Sequence, residues 1–223
     1  MDGMLSAARA LDRITRVVGK TAGWLILPLI AVIMFDVVTR KIDVTRLYFA
    51  EWTATSGISV STVMQDMQWH LHAFLLMLTF GIGYLANTHV RVDIFREMMS
   101  RRSQAKLELF LLIVFAMPFL IAMVAYSWEL FTVSWLQNEG SESMTGMGAR
   151  YIVKSSMFIG FVIMTCAAVA TILRLIVDLY GSTRQQQEAL DELQIFSSAA
   201  DELEAARLAS ERALIEEKRK ARH

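Results

Sequence analysis

Residues Gln65–Phe95 read QDMQWHLHAFLLMLTFGIGYLANTHVRVDIF. The stretch opens polar, crosses an apolar run from Trp69 to Ala86, and closes on a patterned, basic segment. Eighteen or so apolar residues are enough to carry a helix across a hydrocarbon core. The run holds no Asp, Glu, Lys or Arg, and Trp69 and Tyr84 stand near its ends, where amphipathic rings favour the headgroup level. The pattern predicts a transmembrane helix followed by a cytoplasmic turn.

The other apolar blocks follow from this one. The chain has 223 residues and is 55% hydrophobic, above the usual composition of a soluble domain, with the excess gathered in blocks. Spans are predicted over about 21–38, 69–86, 109–128 and 157–173. The fold class is therefore an all-α integral membrane protein with four transmembrane helices. Pro28 and Pro118 both fall in apolar runs, where neighbouring helices make a proline tolerable. Residues 1–20 carry Arg9, Arg13, Arg16 and Lys20 between apolar positions, which predicts an amphipathic helix lying on an anionic leaflet. Residues 39–66 mix Leu47, Tyr48, Phe49 and Trp52 with Asp43, Arg46 and Glu51, a signal for an interfacial helix ending near Thr55. Residues 181–223 are charged and helix-favouring without a strict heptad, which predicts a partly ordered cytoplasmic tail. The organisation expected is an N-terminus over 1–20, a membrane domain over 21–180 and a tail over 181–223.

Orientation comes from charge. The N-terminal segment, the middle loop and the C-terminal flank together carry eleven Lys and Arg near the spans, against five in the other two loops. The positive-inside rule then places both termini and the middle loop in the cytoplasm. The balance of 22 basic and 22 acidic residues argues against a nucleic-acid partner. Cys166 is the single cysteine, so the chain has no intramolecular disulfide.

Enzyme signatures are missing from the sequence. Gly19-Lys20-Thr21 matches the end of a phosphate-binding loop, but Ile14 stands where the first glycine is needed. No HExxH, CxxC or GxSxG pattern occurs. His70 and His72 stand two residues apart on different faces at one helix mouth, a poor arrangement for axial haem ligation from two helices. No catalytic residue, metal or cofactor is therefore expected. Gly160, Met164, Ala167, Ala168 and Thr171 share one face of the last span, and a stripe of small residues lets another helix approach closely. No predicted span carries a charge at its centre, where a self-sufficient transporter normally has one or a broken helix. Four such spans look like a scaffold that needs a partner.

Several ordered segments resemble a known family. They are Asp36-Val-Val-Thr-Arg40, Gln65-Asp-Met-Gln-Trp-His70, Gly81–Tyr84, His89-Val-Arg-Val-Asp93, Pro118-Phe119, Ser134-Trp135 and Glu139-Gly-Ser141. In this order the chain resembles the small membrane subunit (DctQ-type) of tripartite ATP-independent periplasmic, or TRAP, transporters, over roughly Ala22–Tyr180. The resemblance implies a non-catalytic scaffold in a bacterial inner membrane, with a large permease subunit and a periplasmic substrate-binding protein as partners. It implies sodium-coupled uptake of an organic acid of the dicarboxylate, sugar-acid or keto-acid class. Subunit contacts are then expected at Asp36, Arg40, Trp69, His70, His89, Arg91, Asp93, Gly160, Ala167 and Thr171. Binding-protein contacts are expected at Tyr48, Glu51, Trp52, Glu139 and Glu142. Residues 141–148 depart from the Pro-Gly-Gly-Leu-Pro-like run of relatives, and the tail lies outside the resemblance. The alternative from another class is a membrane anchor of an electron-transfer complex, with His70 or His72 at a haem or quinone. A third is a structural membrane protein whose tail recruits a cytoplasmic partner.

Overall fold

The computed structural model describes residues 1–88 and 99–193. Among them every regular element is helical: α1 (Asp2–Gly23), α2 (Ile26–Lys41), α3 (Asp43–Ser56), α4 (Val60–Leu85), α5 (Arg101–Leu111), α6 (Met117–Leu136), α7 (Tyr151–Tyr180) and α8 (Thr183–Asp191). A single π-helical turn, Leu112–Ala116, joins α5 to α6 just before Pro118. A proline cannot donate to the preceding turn, and a local widening of the helix absorbs the missing bond.

Among the described residues, three helical stretches are long and apolar enough to cross a membrane: Asp2–Lys41, Arg101–Leu136 and Tyr151–Tyr180. The expected second span lies in α4, which has 26 residues but whose first half is diluted by Gln65, Asp66, Gln68, His70 and His72. Its polar half is explained below by what it touches.

The N-terminal region differs from its sequence reading. Residues 1–20 and the first span form one helical stretch of 40 residues, interrupted at Trp24–Leu25. Such a length is ~60 Å against a core of ~30 Å, so a large part of it projects beyond the hydrocarbon. Pro28 accounts for the interruption. It has no N–H for the Trp24 carbonyl, which accepts instead from Leu27 at 3.2 Å, while Leu25 donates to Ala22 at 2.9 Å. One face of α1 is packed on the protein itself, while Ile14 and Val17 stay exposed. Leu5, Ala8, Thr15, Gly19 and Ala22 are buried, and α1 lies against α4 and α7.

Helix α7 is the hub, touching α1, α4, α5, α6 and α8. Helices α4 and α7 run parallel, pairing Met77 with Gly160, Gly81 with Ile163, and Tyr84 and Leu85 with Ala167. Small residues set these approaches. A Cβ on Gly160 would meet the Met77 carbonyl oxygen at 2.8 Å, one on Gly81 would meet Ile163 and Thr15 at 2.9 Å, and one on Gly19 would meet Ile82 at 2.4 Å. Outward-facing Ile30, Met34, Phe115, Phe119 and Ile121 leave apolar faces of α2, the π-turn and α6 uncovered by the chain. At the far end of α6 and α7, Trp128 stacks with Phe158 at 5.0 Å and Trp135 meets Tyr151 edge-on at 4.6 Å, a cluster suited to the interface.

Candidate functional site: polar contacts at the two ends of the bundle

Polar side chains gather at opposite ends of the helix bundle. At the end formed by α3, the start of α4 and the 137–150 loop, Asp36 is the best-buried carboxylate, 6% exposed near the end of α2. A buried charge needs partners. Asp36 accepts from Arg40 Nε at 2.9 Å, from the Ser61 hydroxyl at 3.3 Å and from Gln68 Nε2 at 3.4 Å, joining α2 to α4. This accounts for part of the polarity of α4: Ser61 and Gln68 face a carboxylate.

Asp66 accounts for more. Its Oδ2 accepts the Met147 backbone N–H at 2.8 Å, and Ser59 N–H donates to the Thr145 carbonyl at 3.0 Å, so the loop is strapped to the first turns of α4. Gly146 permits this, because a Cβ there would come within 2.5 Å of Asp66 Oδ2. Glu139 pairs with Lys154, which chiefly holds its carboxyl below the ordinary value. Arg150 Nη2 bonds Glu142 at 3.0 Å, yet the Glu142 side chain stays 86% exposed. Asp66, Trp69, His70, Ser141, Glu142 and Arg150 line an open cleft of about 460 Å³.

The predicted residues fall into different situations. Trp69 is 76% exposed at the rim of that cleft. His70 Nδ1 lies 2.6 Å from the Asp66 carbonyl of its own helix, while His72 is exposed on another face. Tyr48, Glu51 and Trp52 are exposed on α3, a helix with no buried residue that ends on Gly57 in the left-handed region at φ 73°. They stand at the same end as Glu139 and Glu142, connected through Ser59 and Thr145. Gly160, Ala167 and Thr171 are buried within the chain, Gly160 against Met77 of α4. His89, Arg91 and Asp93 lie outside the described residues.

The other end holds a cluster that the sequence reading did not assemble. Arg174, 3% exposed on α7, bonds Glu192 at 2.9 Å and Asp12 at 3.3 Å. Asp12 also takes Arg16 at 2.8 Å, and Arg9 spans Glu192 at 2.6 Å and Glu188 at 3.0 Å. Leu5, Val177 and Ala189 close the apolar side of the junction. Arg174 was visible as a charge at a span end, but its partner Asp12 is 162 residues away, and no spacing rule connects them.

Asp36, Asp12, Arg174 and Glu192 are each answered by a neighbour, and these contacts join helices. A family model described as "Tripartite ATP-independent periplasmic transporters, DctQ component" matches residues 29–178. No curated protein and no solved structure matches the chain.

Proposed function

Because the chain belongs to the DctQ component family of tripartite ATP-independent periplasmic transporters, we propose that it is the small, non-catalytic scaffold subunit of a sodium-coupled, binding-protein-dependent importer of organic acids. The match over residues 29–178 carries this reading. The partners are a large permease subunit and a periplasmic substrate-binding protein, in a bacterial inner membrane. The uncovered apolar faces of α2 and α6 are where the permease and lipid are accommodated.

Four crossings with both termini in the cytoplasm fit the contacts best. Arg9, Asp12 and Arg174 hold the N-terminus beside the C-terminal part of α7, so both described ends lie on one side of the bundle. Three crossings would separate them, which supports α4 as the fourth. The Asp36–Arg40 pair, with Gly160, Ala167 and Thr171, then fixes the scaffold internally, and Trp69 and His70 stand at its outer rim. Tyr48, Glu51, Trp52 and Glu142 form the surface offered to the binding protein, while Glu139 shapes the loop through Lys154.

The test is uptake in proteoliposomes under a sodium gradient, with this chain, a candidate large permease subunit and its binding protein. Organic-acid accumulation that disappears when this chain is omitted is the expected result. Equal uptake without it, or failure to co-purify with the permease, overturns the assignment.

A further inference from the structure

We propose that the groove between α1 and α7, at the end where α8 docks, binds the headgroup of an anionic phospholipid. Arg9, Arg13, Arg16 and Lys20 recur along one stripe of α1 and line a cleft of about 570 Å³ with Arg174. That volume lies within the ~300–1,000 Å³ range of small-ligand sites. Only two carboxylates, Asp12 and Glu192, share the lining, and both are already engaged, by Arg9, Arg16 and Arg174. Arg13 and Lys20 take part in no ion pair among the described residues and are exposed to the cleft. The site therefore lacks anionic charge.

Depth and apolar flank select a lipid over a free anion. Gly19 packs on Ile82, so Lys20 stands level with the last turns of α4, among helices that are apolar there. A lysine at that depth directs its ammonium outward to the phosphate level. Val17 lines the same cleft and is 56% exposed, with Ile14 beside it at 53%. A soluble phosphate leaves those side chains facing water, whereas a phospholipid covers them with its glycerol and acyl carbons. The inference does not depend on the transport reading, since it needs only that this end of the bundle meets a leaflet.

The experiment is a lipid titration of the full-length chain in neutral detergent, followed by native mass spectrometry. Short-chain phosphatidylglycerol is compared with short-chain phosphatidylcholine and with inorganic phosphate as competitor. Phosphatidylglycerol is expected to bind more tightly than phosphatidylcholine by roughly 25-fold, about fivefold for each unpaired cation. Arg13→Gln and Lys20→Gln each remove about fivefold, while Arg46→Gln, on α3 at the opposite end, changes nothing. Equal binding of the two lipids overturns the proposal, as does a loss in Arg46→Gln as large as in Arg13→Gln. Displacement of phosphatidylglycerol by an equal concentration of inorganic phosphate also overturns it, because the apolar flank then contributes nothing.

Discussion

At Gly160 a single methyl group would sit 2.8 Å from both the Cβ and the carbonyl oxygen of Met77. The oxygen belongs to the backbone of α4, so no rotamer change relieves the contact and the two helices must part. Overpacking of this kind costs roughly 1–3 kcal/mol. Gly160→Ala is therefore expected to lower the thermal unfolding midpoint of the detergent-solubilised chain, and Gly160→Leu to lower it further. Gly3→Ala is the control: its added Cβ meets nothing within 4 Å, and replacing a helical glycine gains up to ~1 kcal/mol. If Gly160→Ala melts no earlier than the parent, the α4–α7 approach does not depend on that glycine. Asp36 is the polar counterpart on α2. It is tolerated in a buried position because Arg40, Ser61 and Gln68 all donate to it, and charged hydrogen bonds of this type contribute ~1.5–3 kcal/mol.

Helix α8 shows how much a short element owes to its dock. Its nine residues begin with a capping box between Ser182 and Gln185, but a helix this short is marginal alone. It is held by Leu5 and Val177 against Ala189, and by Arg9 against Glu188. The Glu188 carboxyl lies below its ordinary 4.5, through Arg9 first and Arg184 second. Docking that depresses a carboxyl pKa is fully supported above the ordinary value and loses that support as pH falls through the docked value. Acid should therefore release α8. Spin labels at Gly3→Cys and Gln187→Cys, in a Cys166→Ser background, are expected to report one short distance at neutral pH and a broadening spread below about 4.5. Arg9→Gln should give the broad spread already at neutral pH. A distance unchanged across the range in both chains would mean that apolar contact alone docks the helix. The composition of this segment announced a helix, and the small stripe on α7 announced a close neighbour. Neither named the partner, because Asp12 meets Arg174 and Asp66 meets Met147 across 162 and 81 residues. Such registers are set when helices pack, not by local spacing. The N-terminal basic stripe was legible as amphipathic for the same local reason, while the packing of another face of α1 on α4 and α7 was not.

For the whole molecule the decisive quantity is the number of crossings, and it turns on α4. By composition α4 is less apolar than α6 and α7, and its polar residues sit in its first half. There Ser61 and Gln68 face Asp36, and Asp66 holds the 137–150 loop. Its second half packs Tyr84 and Leu85 with Ala167, deep among apolar side chains. The polar half lies at the loop end and the apolar half among the other helices, a division that fits the proposed fourth crossing. The same division puts Met144, fully exposed in that loop, on the opposite side from both Ala7 and Gln187. In a Cys166→Ser chain in right-side-out membrane vesicles, Met144→Cys should react with an impermeant maleimide in intact vesicles. Ala7→Cys and Gln187→Cys should react only after permeabilisation, together, since Arg9 and Glu188 hold them at one end. Labelling of Ala7→Cys from outside while Gln187→Cys stays protected would leave an odd number of crossings. It would also require the Arg9–Glu188 and Arg174–Asp12 pairs to be broken in the membrane, so the two findings stand or fall together.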